Sequence, residues 1–472
     1  MEIQRRGLPQ TVHKDRAKQG LLCALAVCGM MVCAEGQVAF TNLVLFNGVN
    51  GRNPSGELTQ GPDGSFYGTT TSGGANGYGT VYKVGVNGAV TTLVSFNSTN
   101  GTSPYGRLAQ GSDGWLYGTT SGGGSNGYGT VFKLATNGLL SSLMSFDSTN
   151  GAQPHVGLSQ GSDGQFYGTA AFGGTNGRGA AFRISTNSAF SSFFSYDTSG
   201  YTPYGGVVQG TNGKLYGTTY QGGTYSNGIV YQLTTNGGFT VDYSFKGSND
   251  GANSYAGLIQ GTDGNFYGTT FYGGSNGFGA VFKLTPNGTF SLVHSFDGTN
   301  GAYPQAPLLQ ATDGNFYGTT QNGGPYTNQL VTAGYGTVFR LGMDGTFTSL
   351  FSFNGTNGGY PRAGLIQGAD GSFYGTTTYG GTSDSGTVFR LTLSAPSAPV
   401  FQGIVLVGGA VVLTWSAAVG QQYQMMSRTN LELANWANLG GVVTATNAVM
   451  TTLDNTGLRP AKYYRIQLLT GP

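Results

Sequence analysis

Residues 104–146 read PYGRLAQGSDGWLYGTTSGGGSNGYGTVFKLATNGLLSSLMSF and contain the pattern that decides the fold. Four short runs in this stretch are rich in aromatic and β-branched residues, and turn-forming residues separate them. Asp113-Gly114 joins the first two runs, and Asn137-Gly138 joins the last two. Such dipeptides are strong hairpin signals, and we expect turns with positive φ at both central residues. The stretch therefore predicts a four-stranded antiparallel sheet.

The same unit recurs along most of the chain at a spacing of about 50 residues. Its Tyr-Gly-Thr motif begins at Tyr67, Tyr117, Tyr167, Tyr216, Tyr267, Tyr317 and Tyr374. Repeated four-stranded units of this length are typical of a β-propeller. A fourth-strand run, Leu43–Phe46, precedes the first unit, but none follows the last third strand at Gly386–Leu391. We therefore predict an all-β fold, with a seven-bladed β-propeller over residues 37–393 that the N-terminal strand closes.

Composition agrees with an all-β chain. Glycine supplies 86 of the 472 residues, and glycine destabilises helices. Charged residues make up 8% and aromatic residues 12%, so the chain has enough large apolar groups to fold. Lys and Arg total 21 and Asp and Glu 19. Because the body of the chain has no basic cluster, we expect no nucleic-acid partner.

The N-terminal segment has the features of an export signal. Arg5, Arg6, Lys14, Arg16 and Lys18 precede an apolar run that ends at Cys33. A basic region followed by a short apolar run predicts a signal peptide over residues 1–36, and no membrane span in the mature chain. All three cysteines lie inside this segment. We predict a secreted or cell-surface protein without thiols, and we expect no metal and no cofactor.

The C-terminal end differs from the repeats. A linker is predicted over residues 394–399, and a small β-sandwich over residues 400–472, because runs such as AVVLTW alternate apolar and polar residues. Its aromatic residues fit either a hydrophobic core or a sugar-stacking platform, with the core favoured. These residues are Trp415, Tyr423, Trp436 and Tyr464.

Two family resemblances follow from these motifs. The unit P-x-x-x-L-x-Q-G-x-D-G-x-[FL]-Y-G-T-T…G-x-G-T-V-[FY]-[KR]-L resembles the GloVer (Gloeobacter–Verrucomicrobia) tandem repeat of secreted bacterial proteins. Seven copies match over about residues 40–393. The resemblance implies an extracellular location and no particular activity. The segment YQMMSRTNLELANWANLG, followed by KYYRIQLL, resembles a fibronectin-type-III-like module.

The candidate site is the set of residues that varies while the repeat framework stays constant. Variable residues follow the proline that leads into six of the seven first strands, with Ser254 in its place in the fifth copy, and others lie in the loops between second and third strands. In a propeller, these positions ring the loop-bearing mouth of the central channel. The predicted ligand-binding residues are Tyr105, Arg107, His155, Tyr204, Tyr255, Gln305, Arg362, Tyr128, Arg178 and Tyr272. The alternative is that they are solvated loop residues without a ligand.

Three functions remain open at this point. Tyrosine rings and guanidinium groups suit an extracellular glycan, so we predict a non-enzymatic, monomeric binding or adhesion protein whose partner is a glycan or a surface protein. A polysaccharide lyase or hydrolase is the alternative, with catalysis by Glu57, Tyr105, Arg107 and His155. A structural surface or matrix protein is the third possibility.

One constant residue of the repeat is a glutamine, which is present in all seven copies. These residues are Gln60, Gln110, Gln160, Gln209, Gln260, Gln310 and Gln367. A residue needed in every copy is usually architectural, so we predict that the glutamine amides satisfy backbone groups between blades.

Overall fold

A computed structural model describes most of the chain. The described residues are 38–327, 333–393, 399–407, 410–417, 422–429, 435–447, 449–455 and 462–469. The predicted signal peptide and residues 394–398 of the predicted linker lie outside these ranges. The described residues form strands and turns only, and they include no helix with the length and hydropathy to span a membrane. The chain divides into two compact units, one of residues 40–392 and one that contains residues 393–472.

The first unit consists of short strands. In chain order they are β1 Val38–Leu45, β2 Arg52–Pro54, β3 Thr59–Gln60, β4 Phe66–Ser72, β5 Thr80–Val84, β6 Val90–Ser95, β7 Ala109–Gln110, β8 Leu116–Thr120, β9 Thr130–Leu134, β10 Leu140–Ser145, β11 Ser159–Gln160, β12 Phe166–Ala170, β13 Ala180–Ile184, β14 Phe190–Ser195, β15 Val208–Gln209, β16 Leu215–Thr218, β17 Ile229–Leu233, β18 Phe239–Ser244, β19 Ile259–Gln260, β20 Phe266–Thr270, β21 Ala280–Leu284, β22 Phe290–Ser295, β23 Leu309–Gln310, β24 Phe316–Thr320, β25 Thr337–Leu341, β26 Phe347–Ser352, β27 Ile366–Gln367, β28 Phe373–Thr377 and β29 Thr387–Leu393.

These strands form one small sheet for each copy of the repeat, and we call the seven sheets together the repeat unit. Sheet 1 contains β2 to β6, sheet 2 β7 to β10, sheet 3 β11 to β14, sheet 4 β15 to β18, sheet 5 β19 to β22, and sheet 6 β23 to β26. Sheet 7 has the order β1-β29-β28-β27, so the N-terminal strand lies beside the last strand of the repeat region. Neighbouring strands within sheets 1 to 6 are antiparallel, as in the pairing of Tyr117 with Lys133 in sheet 2.

The hairpin turns correct one sequence expectation. In the turn of Asp113-Gly114, the Gly111 N–H donates to the Trp115 carbonyl over 2.8 Å, and the Gly114 N–H donates to the Gly111 carbonyl over 3.0 Å. Only the glycine has positive φ, at 82°. The turn is therefore a type I turn followed by a glycine bulge, and the expectation of positive φ at both central residues is wrong. The aspartate keeps an ordinary backbone because its Oδ1 accepts the Trp115 N–H over 3.1 Å.

The core lies between neighbouring sheets. Second strands such as Phe166–Ala170 are buried along their whole length, because each sheet is covered on both faces. The tyrosine of Tyr-Gly-Thr packs against the aromatic ring that opens the second strand of the next sheet, with ring centroids 4.0 to 4.2 Å apart. These pairs are Tyr117–Phe166, Tyr216–Phe266, Tyr267–Phe316, Tyr317–Phe373 and Tyr374–Phe66. The last pair joins sheet 7 to sheet 1.

Further contacts join the last sheet to the first. Phe46, at the end of β1, lies edge-on to Tyr82 of sheet 1 with ring centroids 5.1 Å apart. The same contact joins Phe96 to Phe132 between sheets 1 and 2. The Asn53 N–H donates to the carbonyl of Ser385 over 2.9 Å. The N-terminal strand therefore occupies the place that a fourth strand occupies in the other sheets.

The glutamine prediction is confirmed for four of the seven copies. The Gln260 Nε2 donates to the Gly264 carbonyl of its own hairpin over 2.9 Å. Its Oε1 accepts the Thr211 N–H from the preceding sheet over 3.0 Å. Gln209, Gln310 and Gln367 accept the equivalent backbone N–H groups. The amide thus ties a hairpin turn to the neighbouring sheet.

The second unit is also built from strands. They are β30 Phe401–Val407, β31 Ala410–Ser416, β32 Gln422–Arg428, β33 Ala437–Asn438, β34 Val443–Thr444, β35 Val449–Asp454 and β36 Tyr463–Leu469. One sheet has the order β30-β31-β35, and the other joins β33, β34 and β36 to β32. Trp415, Tyr423 and Tyr464 are buried in one core between these strands. The core interpretation is therefore confirmed for these three residues, while Trp436 lies half-buried under the Arg428 guanidinium at 4.3 Å.

Candidate functional site

A cavity of about 940 Å³ is lined by residues in or just before the first strands of all seven sheets of the repeat unit. Seven of its lining residues, one from each copy of the repeat, are the variable residues predicted at the channel mouth, and we call them the mouth residues. They are Ser55, Tyr105, His155, Tyr204, Tyr255, Gln305 and Arg362. Apolar side chains such as Leu58 and Ile259 form much of the remaining wall. A concave site with an apolar wall and a few polar groups is typical of ligand-binding pockets.

The structure brings together most of the predicted site residues. Tyr105, Arg107, His155, Tyr204, Tyr255, Gln305 and Arg362 all line the cavity, and so does Glu57. Tyr128, Arg178 and Tyr272 are not among the lining residues. The two tyrosines are exposed, and the Arg178 guanidinium lies 4.5 Å from the centroid of the Tyr201 ring.

The backbone before each mouth residue is held in a left-handed conformation. Two positions earlier in every sheet stands a non-glycine residue with φ between 52° and 57°. These residues are Asn53, Ser103, Gln153, Thr202, Asn253, Tyr303 and Tyr360. The N–H of each donates to a carbonyl of the preceding sheet over 2.8 to 3.1 Å. These bonds compensate for an unfavourable φ, and they fix the backbone position from which each mouth side chain extends.

Four consecutive mouth residues form a continuous aromatic arc, which we define as Tyr105, His155, Tyr204 and Tyr255. The ring centroids are 5.0 Å apart for Tyr105 and His155, and 5.3 Å apart for His155 and Tyr204. Tyr204 and Tyr255 are stacked, with centroids 5.0 Å apart. These spacings are those of favourable aromatic pairs. Aromatic faces and hydroxyl groups therefore line one side of the opening.

The charged groups of the cavity lie outside the aromatic arc. The Arg107 Nη1 is 3.8 Å from the Glu57 Oε2, and the two side chains are 50% and 17% exposed. Burial raises the pKa of Glu57, although Arg107 and a hydrogen bond from the Gly364 N–H both favour its ionised form. Arg362 differs, because no described residue forms an ion pair with it. Its Nε is buried without a hydrogen-bond partner.

His155 is a neutral member of the aromatic arc. Burial lowers the pKa of its imidazole to about 4, because desolvation disfavours the charged form. At neutral pH the ring is therefore uncharged, and it contributes an aromatic face and one N–H donor. No three His, Cys, Asp or Glu side chains come together in the part of the chain that the structure describes.

Sequence reasoning missed part of the cavity wall. Gln209, Gln260 and Gln310 line it in addition to tying sheets together. Their recurrence in all copies indicated only an architectural role. The wall also depends on close backbone contact, since a Cβ on Gly106 would lie 2.3 Å from the Gly157 nitrogen. The sequence of one repeat cannot predict this contact, because the two glycines belong to neighbouring copies of the repeat.

Solved structures with a similar arrangement have low sequence identity. A gluconolactonase of Xanthomonas campestris is 10% identical over 77% of this chain and 93% of its own, with a TM-score of 0.42. The periplasmic gluconolactonase PpgL of Pseudomonas aeruginosa is 16% identical over 64% and 85%, with a TM-score of 0.45. The BP39L lectin of Burkholderia pseudomallei is 11% identical over 74% and 97%, with a TM-score of 0.46. A shared activity does not follow from such values.

The family is shown by the sequence. No curated protein matches the chain at a significant level. The model of the Gloeobacter/Verrucomicrobia repeat matches residues 29–223 and again residues 203–405. Together these matches cover most of the chain, including all seven sheets of the repeat unit. The chain therefore belongs to the Gloeobacter/Verrucomicrobia repeat family.

Proposed function

We propose that this protein binds a glycan at the mouth of the cavity in its repeat unit and acts there without catalysis. The aromatic arc is the observation that carries the proposal. Sugar rings present C–H faces that pack on aromatic rings, and their hydroxyl groups need hydrogen-bond partners at the edge. The arc supplies the faces, while Gln305 and the tyrosine hydroxyl groups supply partners within the same opening.

The proposal includes a seven-bladed β-propeller over residues 37–393, closed by the N-terminal strand. Its support is that each kind of contact between neighbouring sheets recurs between sheet 7 and sheet 1. The Tyr374–Phe66 and Phe46–Tyr82 ring pairs and the Asn53 hydrogen bond are all of this kind. Closure leaves no exposed sheet edge in the repeat unit. It also makes the cavity the axial channel of the propeller.

Export and the second unit complete the proposal. We propose a secreted or cell-surface location, since the family resemblance and the predicted signal peptide over residues 1–36 both support it. Residues 400–472 form the fibronectin-III-like module, which acts as a spacer or anchor. The buried positions of Trp415 and Tyr423 support this role over a second sugar platform. A purely structural role in a surface layer would leave the mouth residues without a ligand.

Glycan-array binding tests the function. We expect the full chain to bind a defined set of glycans and Tyr204→Ala to bind them about tenfold more weakly, since an aromatic contact contributes roughly 0.5–1.5 kcal/mol. Tyr225→Ala is the matched control, because Tyr225 is exposed and does not line the cavity. The thermal midpoint of each variant is measured alongside binding, so that a loss of binding caused by unfolding is recognised. Absence of binding, or equal loss in both variants, would contradict the proposal.

A polysaccharide lyase is the second candidate, because Glu57, Tyr105, Arg107 and His155 all line the cavity. In such a reaction a base removes the proton beside a uronate carboxyl group, and the glycosidic oxygen leaves as a double bond forms. The pKa of about 4 makes His155 a weak base at neutral pH. Incubation with uronate polysaccharides at pH 4 to 8, followed by absorbance of the unsaturated product, tests this reaction. No product at any pH would remove it.

A further inference from the structure

The charge balance of the cavity is uneven. Apart from His155 and the tyrosines, the described lining residues with an ionisable side chain are Glu57, Arg107 and Arg362. Glu57 is already engaged, since it faces Arg107 and accepts a hydrogen bond from the Gly364 N–H. His155 is neutral and adds no charge. One positive charge, that of Arg362, therefore remains without a carboxylate partner.

Arg362 is also placed to contact a ligand in the cavity, which it lines. It lies at the opening, where the preceding Pro361 fixes the backbone and Tyr360 has the left-handed φ of 55°. Its Nε makes no hydrogen bond in the described structure. Turning the guanidinium towards an incoming group therefore breaks no bond. A guanidinium group binds planar oxyanions through two parallel hydrogen bonds, which gives both strength and orientation.

We propose that the glycan is acidic and that its anionic group pairs with Arg362 while a neighbouring sugar ring lies on the aromatic arc. This inference rests on the proposed function and adds the substrate class. Gln305 stands between Tyr255 and Arg362 in the order of sheets, and it also lines the cavity. A uronate carboxylate and a sulfate ester share the required chemistry.

Titration calorimetry on the full chain tests the inference with three ligands. They are a galacturonan oligosaccharide, the same oligosaccharide with methyl-esterified carboxyl groups, and a sulfated oligosaccharide. We expect the free acid to bind roughly tenfold more tightly than the ester, as a charge-assisted hydrogen bond implies. Rising salt concentration should reduce this preference. Arg362→Gln should bind acid and ester alike.

Arg52→Gln is the matched control, since it removes the same charge from an exposed arginine that does not line the cavity. It should keep the preference for the acid. A preference for the sulfated ligand that disappears in Arg362→Gln supports the inference with sulfate as the anionic group. Equal binding of acid and ester by the unaltered chain, or a preference that survives Arg362→Gln, overturns it while the proposed function stands. If no saccharide of either charge binds, both are wrong.

Discussion

Single residues with left-handed backbone shape both the mouth and the turns. Glycine adopts this conformation without steric cost, whereas other residues pay roughly 1–2 kcal/mol. Before the mouth residues the cost is offset by a hydrogen bond to the preceding sheet, as for Ser103. Ser188 has φ of 70° in an exposed turn between β13 and β14, where other sheets have glycine. Substitution of Ser188 by glycine can therefore remove this steric cost.

Replacing Ser188 by glycine should stabilise the chain. The turn needs positive φ at this position, so Ser188→Gly should raise the free energy of unfolding by roughly 0.5–1 kcal/mol. The reverse change, Gly345→Ser, is the matched control, because Gly345 has φ of 86° and open space around its missing Cβ. Gly345→Ser should lower the free energy of unfolding by about the same amount. Denaturant unfolding of the two variants measures both changes, and effects of the same sign would contradict the argument.

A second residue-scale prediction concerns His294 and acid stability. Its imidazole stacks on the Phe347 ring at 3.8 Å, and burial lowers its pKa to about 4, despite the nearby carboxylate of Asp297. Since the unfolded chain takes up this proton near pH 6.5, the stability that neutral His294 provides is complete above pH 6.5 and is lost progressively towards pH 4. His294→Phe keeps the stack and removes the titration. Its thermal midpoint should therefore fall less than that of the unaltered chain between pH 7 and 4.5, and parallel pH profiles would refute the assignment.

At the scale of elements, the sequence predicted the strands and their order better than the turns that join them. Every Asp-Gly and Asn-Gly dipeptide that we assigned to a hairpin joins two paired strands, and the hairpin at Asn187-Ser188 is the exception that lacks the glycine. The turn type was wrong because the aspartate has a second role that the dipeptide does not reveal. In sheet 2, Asp113 Oδ2 accepts the Tyr117 hydroxyl over 2.6 Å. That bond links the turn to the buried second strand, and the type I geometry with a glycine bulge accommodates it.

The third strands provide a matched test of buried hydroxyl groups. Five sheets have phenylalanine at the central position, whereas sheets 1 and 4 have Tyr82 and Tyr231. The Tyr82 Oη is buried without a partner, but the Tyr231 Oη lies 2.5 Å from the Tyr196 Oη. An unsatisfied buried polar group costs roughly 1–3 kcal/mol.

Tyr82→Phe should therefore raise the free energy of unfolding by about 1 kcal/mol. Tyr231→Phe should lower it by a similar amount, because it leaves the Tyr196 hydroxyl alone in the core. Denaturant unfolding compares the two variants against the same parent. A destabilising Tyr82→Phe would show that the Tyr82 hydroxyl has a partner.

For the whole molecule, the informative signal was the phase of the repeat, by which we mean that the repeat unit starts with a fourth-strand run and ends with a third strand. It placed the N-terminal strand beside the last third strand, and β1 does pair with β29. The same phase marked the variable residue before each first strand, and all seven of these residues line the cavity. Tyr128, Arg178 and Tyr272 are not among the lining residues, because loop length alone does not tell which side chains turn inwards. That Arg362 has no carboxylate partner among the described residues of the cavity could not be predicted either, since it depends on which sheets face one another.

Closure by the N-terminal strand gives the last prediction. Phe46 and Phe96 are both fully buried, and each packs against a third-strand aromatic ring of the next sheet with ring centroids 5.1 and 5.3 Å apart. If β1 is the fourth strand of the last blade, Phe46→Ala and Phe96→Ala should each cost about 3–5 kcal/mol, the usual cost of deleting a buried phenylalanine. If the N-terminal strand instead lay loosely on the surface, only Phe96→Ala would be costly. Denaturant unfolding of the repeat unit, followed by tyrosine fluorescence, distinguishes these outcomes. Equal losses would indicate that each blade is fixed on both sides and that no sheet edge is free to separate.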